Sequence, residues 1–107
     1  MSEQRKHDVF QAISDSTRRT LLKLLAGKEM SIVEIANHFP ISRTAVNKHL
    51  HILSNAGIVK SRKVGRETRY ILEANPLVEI QDFLALFEPY WEDKLSALKR
   101  LVEEDID

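Results

Sequence analysis

Polar side chains able to contact nucleic acid recur on one face of residues 42–57, a segment that carries the start and stop signals of an α-helix. Ser42 can accept a backbone N–H of the first turn, and Gly57 suits the left-handed position after the last turn. Side chains on this face can donate hydrogen bonds to phosphates and base edges, and none is acidic. The spacing therefore predicts a helix that reads a DNA major groove. Its polar face consists of Arg43, Thr44, Asn47, Lys48 and His51.

The opposite side of this helix needs a core to pack against. Val46, Leu50 and Leu53 form its apolar stripe. A second, shorter helix precedes it: Ser31 and Glu34 have the spacing of a capping box, and the helix they open is expected to reach about Phe39. A tight turn over residues 39–41 then leads into the reading helix. The pattern is that of a helix-turn-helix over about residues 31–56.

Two strand-like runs follow the reading helix and predict a β-hairpin, or wing, over about residues 58–72. They are separated by a turn in which Gly65 supplies the positive φ that a hairpin requires. Lys60 and Arg62 alternate with apolar or small residues, so one face of the first strand is basic. Such a hairpin can follow the DNA backbone. The expected phosphate or minor-groove contacts are Arg62, Lys63, Arg66 and Arg69.

The charge distribution supports this interpretation although the formal net charge of the chain is zero. Residues 41–72 carry seven basic side chains and one acidic one, whereas residues 73–107 carry three basic and ten acidic ones. Phosphate binding is indicated by a local stripe of basic residues and not by the total charge of the chain. The alternative is a basic surface that contacts only solvent. The overlap of the basic segment with the helix-turn-helix favours DNA binding.

The first and last helices are predicted to form a dimer interface. The first should span about residues 3–13, and a second helix, capped by Asp15 or Ser16, should end at Gly27. Apolar residues at steps of three and four predict a long amphipathic stretch over about residues 77–103, bent or broken at Pro89. Packing against a twofold mate is the favoured interpretation, and completion of the monomer core is the alternative. The interface residues are Val9, Phe10, Ile13, Leu77, Ile80, Leu84, Phe87, Trp91, Leu95 and Leu98.

Length and composition limit the remaining possibilities. The 107 residues are expected to form one domain, and the absence of cysteine excludes disulfides and thiolate metal sites. We find no signal peptide, membrane span, phosphate loop or nucleophile elbow, so we expect a cytoplasmic protein that is not an enzyme and uses no cofactor. A winged-helix module that binds protein rather than DNA is the alternative function.

With these elements in place, the chain resembles the ArsR family of bacterial winged helix-turn-helix repressors. The resemblance rests on three motifs: DSTRRTLL at residues 15–22, SIVEIA at 31–36, and SRTAVNKHLHILSNAGIV at 42–59. It implies a mainly α fold with a β-hairpin, a homodimer formed by the first and last helices, and binding to a pseudo-palindromic operator in double-stranded DNA.

Metal sensing, for which the family is named, is not expected. Members that sense metals carry a cysteine pair where this chain has Ser31 and Val33, or metal ligands on the last helix, where this chain has no histidine. His49 and His51 are two residues apart on a helix and cannot chelate one ion together. The chain resembles members without metal ligands, and for these the resemblance implies a protein or a small molecule as inducer.

Overall fold

The structure, a computed structural model, describes residues 8–105, which form six α-helices and a three-stranded antiparallel sheet. The helices are α1 (Val9–Ala12), α2 (Ser16–Gly27), α3 (Ile32–Ala36), α4 (Arg43–Asn55), α5 (Val78–Ala85) and α6 (Glu88–Asp105). The strands are β1 (Met30–Ser31), β2 (Val59–Val64) and β3 (Glu67–Leu72), and a single 3₁₀ turn spans Asn75–Leu77. The fold is mainly α with a β-hairpin, which confirms the class that the sequence predicts.

The first helix is shorter than predicted. Asp8 has extended backbone angles, and its carboxylate accepts the backbone N–H of Phe10 at 3.3 Å, so α1 begins only at Val9. The helix ends at Ala12, and Ile13 already has non-helical angles. The prediction of a continuous helix over residues 3–13 is therefore wrong at Asp8, whose side chain acts as an N-cap. Residues 3–7 of that prediction lie outside the described residues.

The next two helices start where their capping residues predict. The Asp15 carboxylate accepts the backbone N–H of Arg18 at 3.0 Å, and α2 starts at the following residue. The Ser31 hydroxyl accepts the N–H of Glu34 at 3.2 Å while the Glu34 carboxylate accepts that of Ser31 at 2.9 Å, which completes a capping box. Helix α3 ends at Ala36, short of the prediction, because the amides of His38 and Phe39 bond to carbonyls three positions back.

The predicted reading helix is α4, and both of its boundaries are confirmed. The Ser42 hydroxyl accepts the N–H of Ala45 at 3.1 Å. At the other end, Gly57 has a φ of 78°, and the N–H of Ile58 donates to the carbonyl of Leu53 at 3.0 Å. This is a Schellman motif, which also turns the fully buried Ile58 side chain into the core.

The core lies where α2, α3 and α4 meet the sheet. Val46, Leu50 and Leu53 of α4 are all buried, as their spacing predicts. The stripe of α4 packs in one cluster with fully buried residues from α1, α2, α3 and the segment before β2. These are Val9, Ala12, Leu21, Ile35 and Ile58. The opposite side of α4 is thereby held toward solvent.

The wing is the β2–β3 hairpin, whose turn contains Gly65 with a φ of 62°. Its register places Arg62 opposite Arg69. The two-residue strand β1 pairs with the other edge of β3, with Met30 opposite Tyr70, so the sheet order is β1-β3-β2. The sequence does not predict β1, because two residues are too few to show an alternating pattern.

The C-terminal segment breaks near Pro89, as predicted, although the break precedes the proline. Helix α5 ends at Ala85 and α6 starts at Glu88, which makes Pro89 its second residue. Proline is accepted in the first turn of a helix because that turn needs no N–H donor there.

Helix α6 makes the protomer elongated. The molecule measures 64 × 37 × 21 Å, and its radius of gyration of 18.7 Å exceeds the value of about 13 Å expected for a compact domain of this length. All side chains described for α6 are exposed, so this helix projects from the core. Within residues 8–105, no helix combines the length and apolar content needed to cross a membrane.

Candidate nucleic-acid interface

The polar face of α4 is exposed along its whole length. The side chains predicted to contact DNA all lie in solvent, because the apolar stripe occupies the other side of the helix. The capping bond of Ser42 fixes the first turn, where a reading helix contacts bases. The exposed residues are Arg43, Thr44, Asn47, Lys48 and His51.

A shallow groove of about 620 Å³ runs along this face, lined by Thr44, Asn47, Lys48, His51 and Ile52. Ile52 is half-buried and was not singled out from the sequence. Ile52 lies outside the apolar stripe of Val46, Leu50 and Leu53, which could have indicated a surface role. It stands between the core residues Leu50 and Leu53 in the sequence, so the pattern favoured a core position. An apolar side chain among polar ones can contact the methyl group of a thymine.

Four cations near this surface form no ion pair with any residue between 8 and 105. Two are on α4, and two flank Gly65 at the tip of the wing. All four are exposed, so their charge is available to an external anion. They are Arg43, Lys48, Lys63 and Arg66.

The other two cations predicted for the wing are paired with carboxylates of the same chain. Arg62 donates from Nε and Nη2 to the two carboxylate oxygens of Glu29 at 3.0 and 2.9 Å, and Arg69 Nε donates to Glu29 at 2.8 Å. Arg69 Nη1 also donates to Glu67 at 2.8 Å, and its Nη2 lies 3.7 Å from Glu34. Hydrogen bonds from Arg62 and then Arg69 hold the pKa of Glu29 below its usual value. No motif or spacing in the sequence marks Glu29 as a functional residue.

Lys60 shows the same pattern further along the basic face of β2. Its Nζ lies 3.5 Å from a carboxylate oxygen of Glu73, just beyond β3. The face on which Lys60 and Arg62 alternate is therefore balanced by acidic side chains. The unpaired charge of the wing is concentrated at its tip.

His49 points away from the polar face and connects α4 to α2. Its Nδ1 accepts a hydrogen bond from Arg18 Nη1 at 3.2 Å and lies 3.8 Å from the Asp15 carboxylate. Arg18 also donates from Nε to the carbonyl of Ala12 at 2.6 Å, at the end of α1. These contacts fix the orientation of α4 relative to the first two helices.

A second exposed surface, here called the α5–α6 face, is apolar. Its members are on α5, on α6 or between them and are 42–65% exposed. Phe83 stacks edge-to-face between Phe10 and Phe87, with ring centroids 5.4 and 5.3 Å apart. The α5–α6 face consists of Leu84, Phe87, Trp91, Leu95 and Leu98.

The other residues predicted for the dimer interface lie deeper. Val9 is fully buried, so its assignment to an interface is corrected: its side chain belongs to the protomer core. Ile13, Leu77 and Ile80 are half-buried against that core. They line a groove of about 690 Å³ between α2 and α5, which Leu84 joins to the α5–α6 face. Phe87, Tyr90 and Trp91 do not line this groove.

Ser31 and Val33, the two positions compared with the cysteine pair of metal-sensing members, lie in different environments. Ser31 is 3% exposed and is committed to the capping box, whereas Val33 is exposed. In the part of the chain that the structure describes, no three histidine, aspartate or glutamate side chains come together as metal ligands.

Comparison with protein families gives a match over residues 15–61 to the model of bacterial regulatory proteins of the arsR family. This range includes α2, α3, α4 and the start of β2.

Individual relatives extend the match. The transcriptional repressor SdpR of Bacillus subtilis is 37% identical over 81 residues, which cover 76% of this chain and 90% of that protein. The HTH-type transcriptional regulator Rv2034 of Mycobacterium tuberculosis is 32% identical and aligns over 100% of this chain and 98% of its own. A solved structure described as a possible transcriptional regulator for arsenical resistance superposes with a TM-score of 0.69 at 38% identity, covering 86% of this chain and 93% of the other.

Proposed function

Because this chain belongs to the ArsR family and is a DNA-binding transcriptional regulator, we propose that it acts as a homodimeric repressor whose two α4 helices enter successive major grooves of one operator. The observation that carries this proposal is the exposed polar face of α4, together with four exposed cations on α4 and the wing tip that form no ion pair with residues 8–105. Repression follows when the bound dimer blocks access of the polymerase to the promoter.

The residues of α4 have different roles in this proposal. Arg43, in the first turn, binds guanine through a bidentate contact, and Asn47 binds adenine in the same way. Thr44 contacts a thymine methyl or a phosphate. Lys48 and His51 lie farther along the helix and hold the DNA backbone, and Ser42 fixes the helix end that approaches the phosphates.

The wing supplies further phosphate contacts from its tip. Lys63 and Arg66 are exposed and unpaired within residues 8–105, so they can neutralise phosphates without first losing an ion pair. Arg62 and Arg69 are engaged by Glu29 and stay outside the proposed contact set. For a dimer that neutralises about 8 phosphates, log K should fall with log salt at a slope near −7.

The α5–α6 face supports the dimer. Large apolar side chains spaced along two successive helices form a continuous surface that is unfavourable in water. A twofold axis lets the same face cover itself, and no second protein is required. The half-buried Ile13, Leu77 and Ile80 border this face and would be covered at its edge.

We propose further that the regulator does not respond to metal ions. The solved relative named for arsenical resistance shares the fold, but this chain has no cysteine with which to bind a thiophilic metal. Release from DNA is instead assigned to a protein or a small molecule.

Selection of bound duplexes from random DNA tests the proposed mode of binding. We expect a twofold-symmetric motif whose half-site centres lie about 34 Å apart, one turn of B-DNA. A single unsymmetric half-site would contradict the arrangement of two α4 helices on a twofold axis. Retention of duplexes without any sequence enrichment would contradict base reading by Arg43 and Asn47.

A further inference from the structure

We propose that Glu29 limits the number of DNA phosphates that the wing binds, because its carboxylate occupies the guanidinium groups of Arg62 and Arg69. The inference rests on the DNA interface proposed above and concerns a residue outside it. An arginine binds a carboxylate and a phosphate through the same fork of parallel N–H groups. Glu29 therefore competes directly with the DNA backbone for both side chains.

Both oxygens of Glu29 take part in this competition. Arg62 forms a bidentate pair, with Nε 3.0 Å from Oε1 and Nη2 2.9 Å from Oε2. Oε2 also accepts a hydrogen bond from Arg69 Nε at 2.8 Å. A phosphate that bound Arg62 through the same Nε and Nη2 edge, or Arg69 through its Nε, would have to displace one of these charge-assisted bonds.

The backbone places Glu29 before any DNA arrives. Glu29 directly precedes β1, which pairs with β3 so that Met30 lies opposite Tyr70. Its side chain thus enters the sheet beside Arg69, whose cross-strand neighbour is Arg62. Glu29 is 21% exposed, and its two arginine partners lower its pKa, so the carboxylate stays ionised at neutral pH.

The charge around the two arginines is fully compensated. Arg69 also contacts Glu67 at 2.8 Å and approaches Glu34 at 3.7 Å, so two guanidinium groups face three carboxylates. This part of the wing offers no excess positive charge to DNA. Because sequence-independent affinity arises from phosphate contacts, Glu29 lowers that affinity while the base-reading side chains of α4 are unchanged.

The salt dependence of binding to a random-sequence duplex tests the inference in the full-length protein. In Glu29→Gln, we expect the slope of log K against log salt to steepen by about one per protomer, because Arg62 is released while Arg69 keeps its ion pair with Glu67. The affinity at moderate salt should then rise by about tenfold. Glu104→Gln makes the same change in net charge near the end of α6 and serves as the control. A slope in Glu29→Gln no steeper than in the control, or a loss of affinity, would overturn the proposal.

Arg62→Ala provides a second test that leaves Glu29 in place. If Arg62 is held by Glu29, its removal leaves the wild-type slope unchanged. In the Glu29→Gln background, the same substitution should remove about one unit of the gained slope. A slope that falls by about one when Arg62 alone is replaced would contradict the inference, since Arg62 would then already contact a phosphate. This single variant can contradict the inference even if Glu29→Gln does not fold, which a thermal unfolding curve would show.

The double variant Lys63→Ala, Arg66→Ala separates this inference from the proposed interface. If the tip of the wing contacts DNA, the slope becomes shallower whether or not Glu29 is present. If the double variant leaves the slope unchanged and Glu29→Gln still steepens it, the assigned contacts of the wing tip are wrong and the role of Glu29 stands. If the double variant makes the slope shallower and Glu29→Gln does not change it, the tip contacts stand and the role of Glu29 is wrong.

Discussion

Arg18 and His49 join α2 to α4, the helix that we propose reads DNA. The guanidinium Nη1 of Arg18 lies 3.2 Å from Nδ1 of His49, which must accept this hydrogen bond because arginine can only donate. The same arginine donates to the carbonyl of Ala12 at 2.6 Å. Arg18 thus bridges α1, α2 and α4 and sets the angle at which α4 is presented.

Arg18→Ala should therefore reduce stability and weaken DNA binding together. Loss of these part-buried, charged hydrogen bonds should lower the free energy of unfolding by about 2 kcal/mol. Urea denaturation measures this change, and Lys23→Ala, which removes the same charge from an exposed position of α2, is the matched control. Equal unfolding midpoints for the two variants would show that Arg18 does not hold the helices together.

Asp15 should make stability dependent on pH in acid. The backbone N–H of Arg18 is the main cause that lowers the pKa of Asp15 from 3.8. A carboxyl group with a depressed pKa contributes stability above its unfolded value, and the contribution is lost as the pH falls through the folded value.

Asp15→Asn isolates this contribution. Asparagine remains a good N-cap but carries no charge. We expect wild type to be the more stable protein near pH 6, and the difference in unfolding free energy to shrink as the pH is lowered toward about 3. Denaturation curves across this range provide the measurement. A difference that is independent of pH would mean that the ionised carboxylate has no effect on stability.

Ser42 permits separation of helix capping from DNA binding. Ser42→Ala removes the acceptor for the N–H of Ala45 and should cost about 1 kcal/mol of stability. Ser42→Asp keeps the cap and adds a negative charge where phosphates approach, so it should retain stability and lose DNA affinity. Thermal unfolding and gel-shift titration distinguish the two effects. If Ser42→Asp binds DNA as wild type does, the start of α4 does not face the backbone.

Leu95 tests the dimer. It is 65% exposed on the α5–α6 face, and Leu95→Glu would bury an ionised carboxylate in an apolar interface, which carries a large desolvation penalty. We expect a monomer by sedimentation equilibrium, with unchanged helix content because the side chain lies outside the protomer core. Ser96→Glu places the same charge toward the other side of α6 and should remain dimeric. A dimeric Leu95→Glu protein would place the interface elsewhere.

Arg43 should determine preference at one base pair of each half-site. Arg43→Ala is expected to cost about 1–3 kcal/mol on the selected operator and to relax the preference at that position. Competition between the operator and single-base variants gives the measurement. A uniform loss over all sequences would instead identify Arg43 as a phosphate contact.

Features with local signals were predictable from the sequence. Ser42 and Gly57 delimit α4 because a cap and a left-handed glycine act within one helical turn of the residues they satisfy. Gly65 locates the hairpin turn for the same reason. Pro89 indicated that the C-terminal segment is broken. The break lies about two residues before the proline, because the first turn of α6 accommodates Pro89.

Features that depend on distant residues were not predictable. Glu29 lies 33 residues from Arg62 and 40 from Arg69 in the chain, and only the pairing of β1 with β3 brings the three together. In the sequence the four cations of the wing look equivalent, whereas in the structure Glu29 pairs with two of them. Val9 likewise reads as part of an exposed apolar face, although the packing of α1 buries it completely.

Sedimentation equilibrium of the protein with its selected duplex tests the central claim most directly. We expect a complex of two protomers on one duplex, and a loss of most of the affinity when one of the two half-sites is scrambled. A single protomer bound to one half-site, with an affinity that does not depend on the other half-site, would contradict a repressor in which two α4 helices grip DNA across a twofold axis.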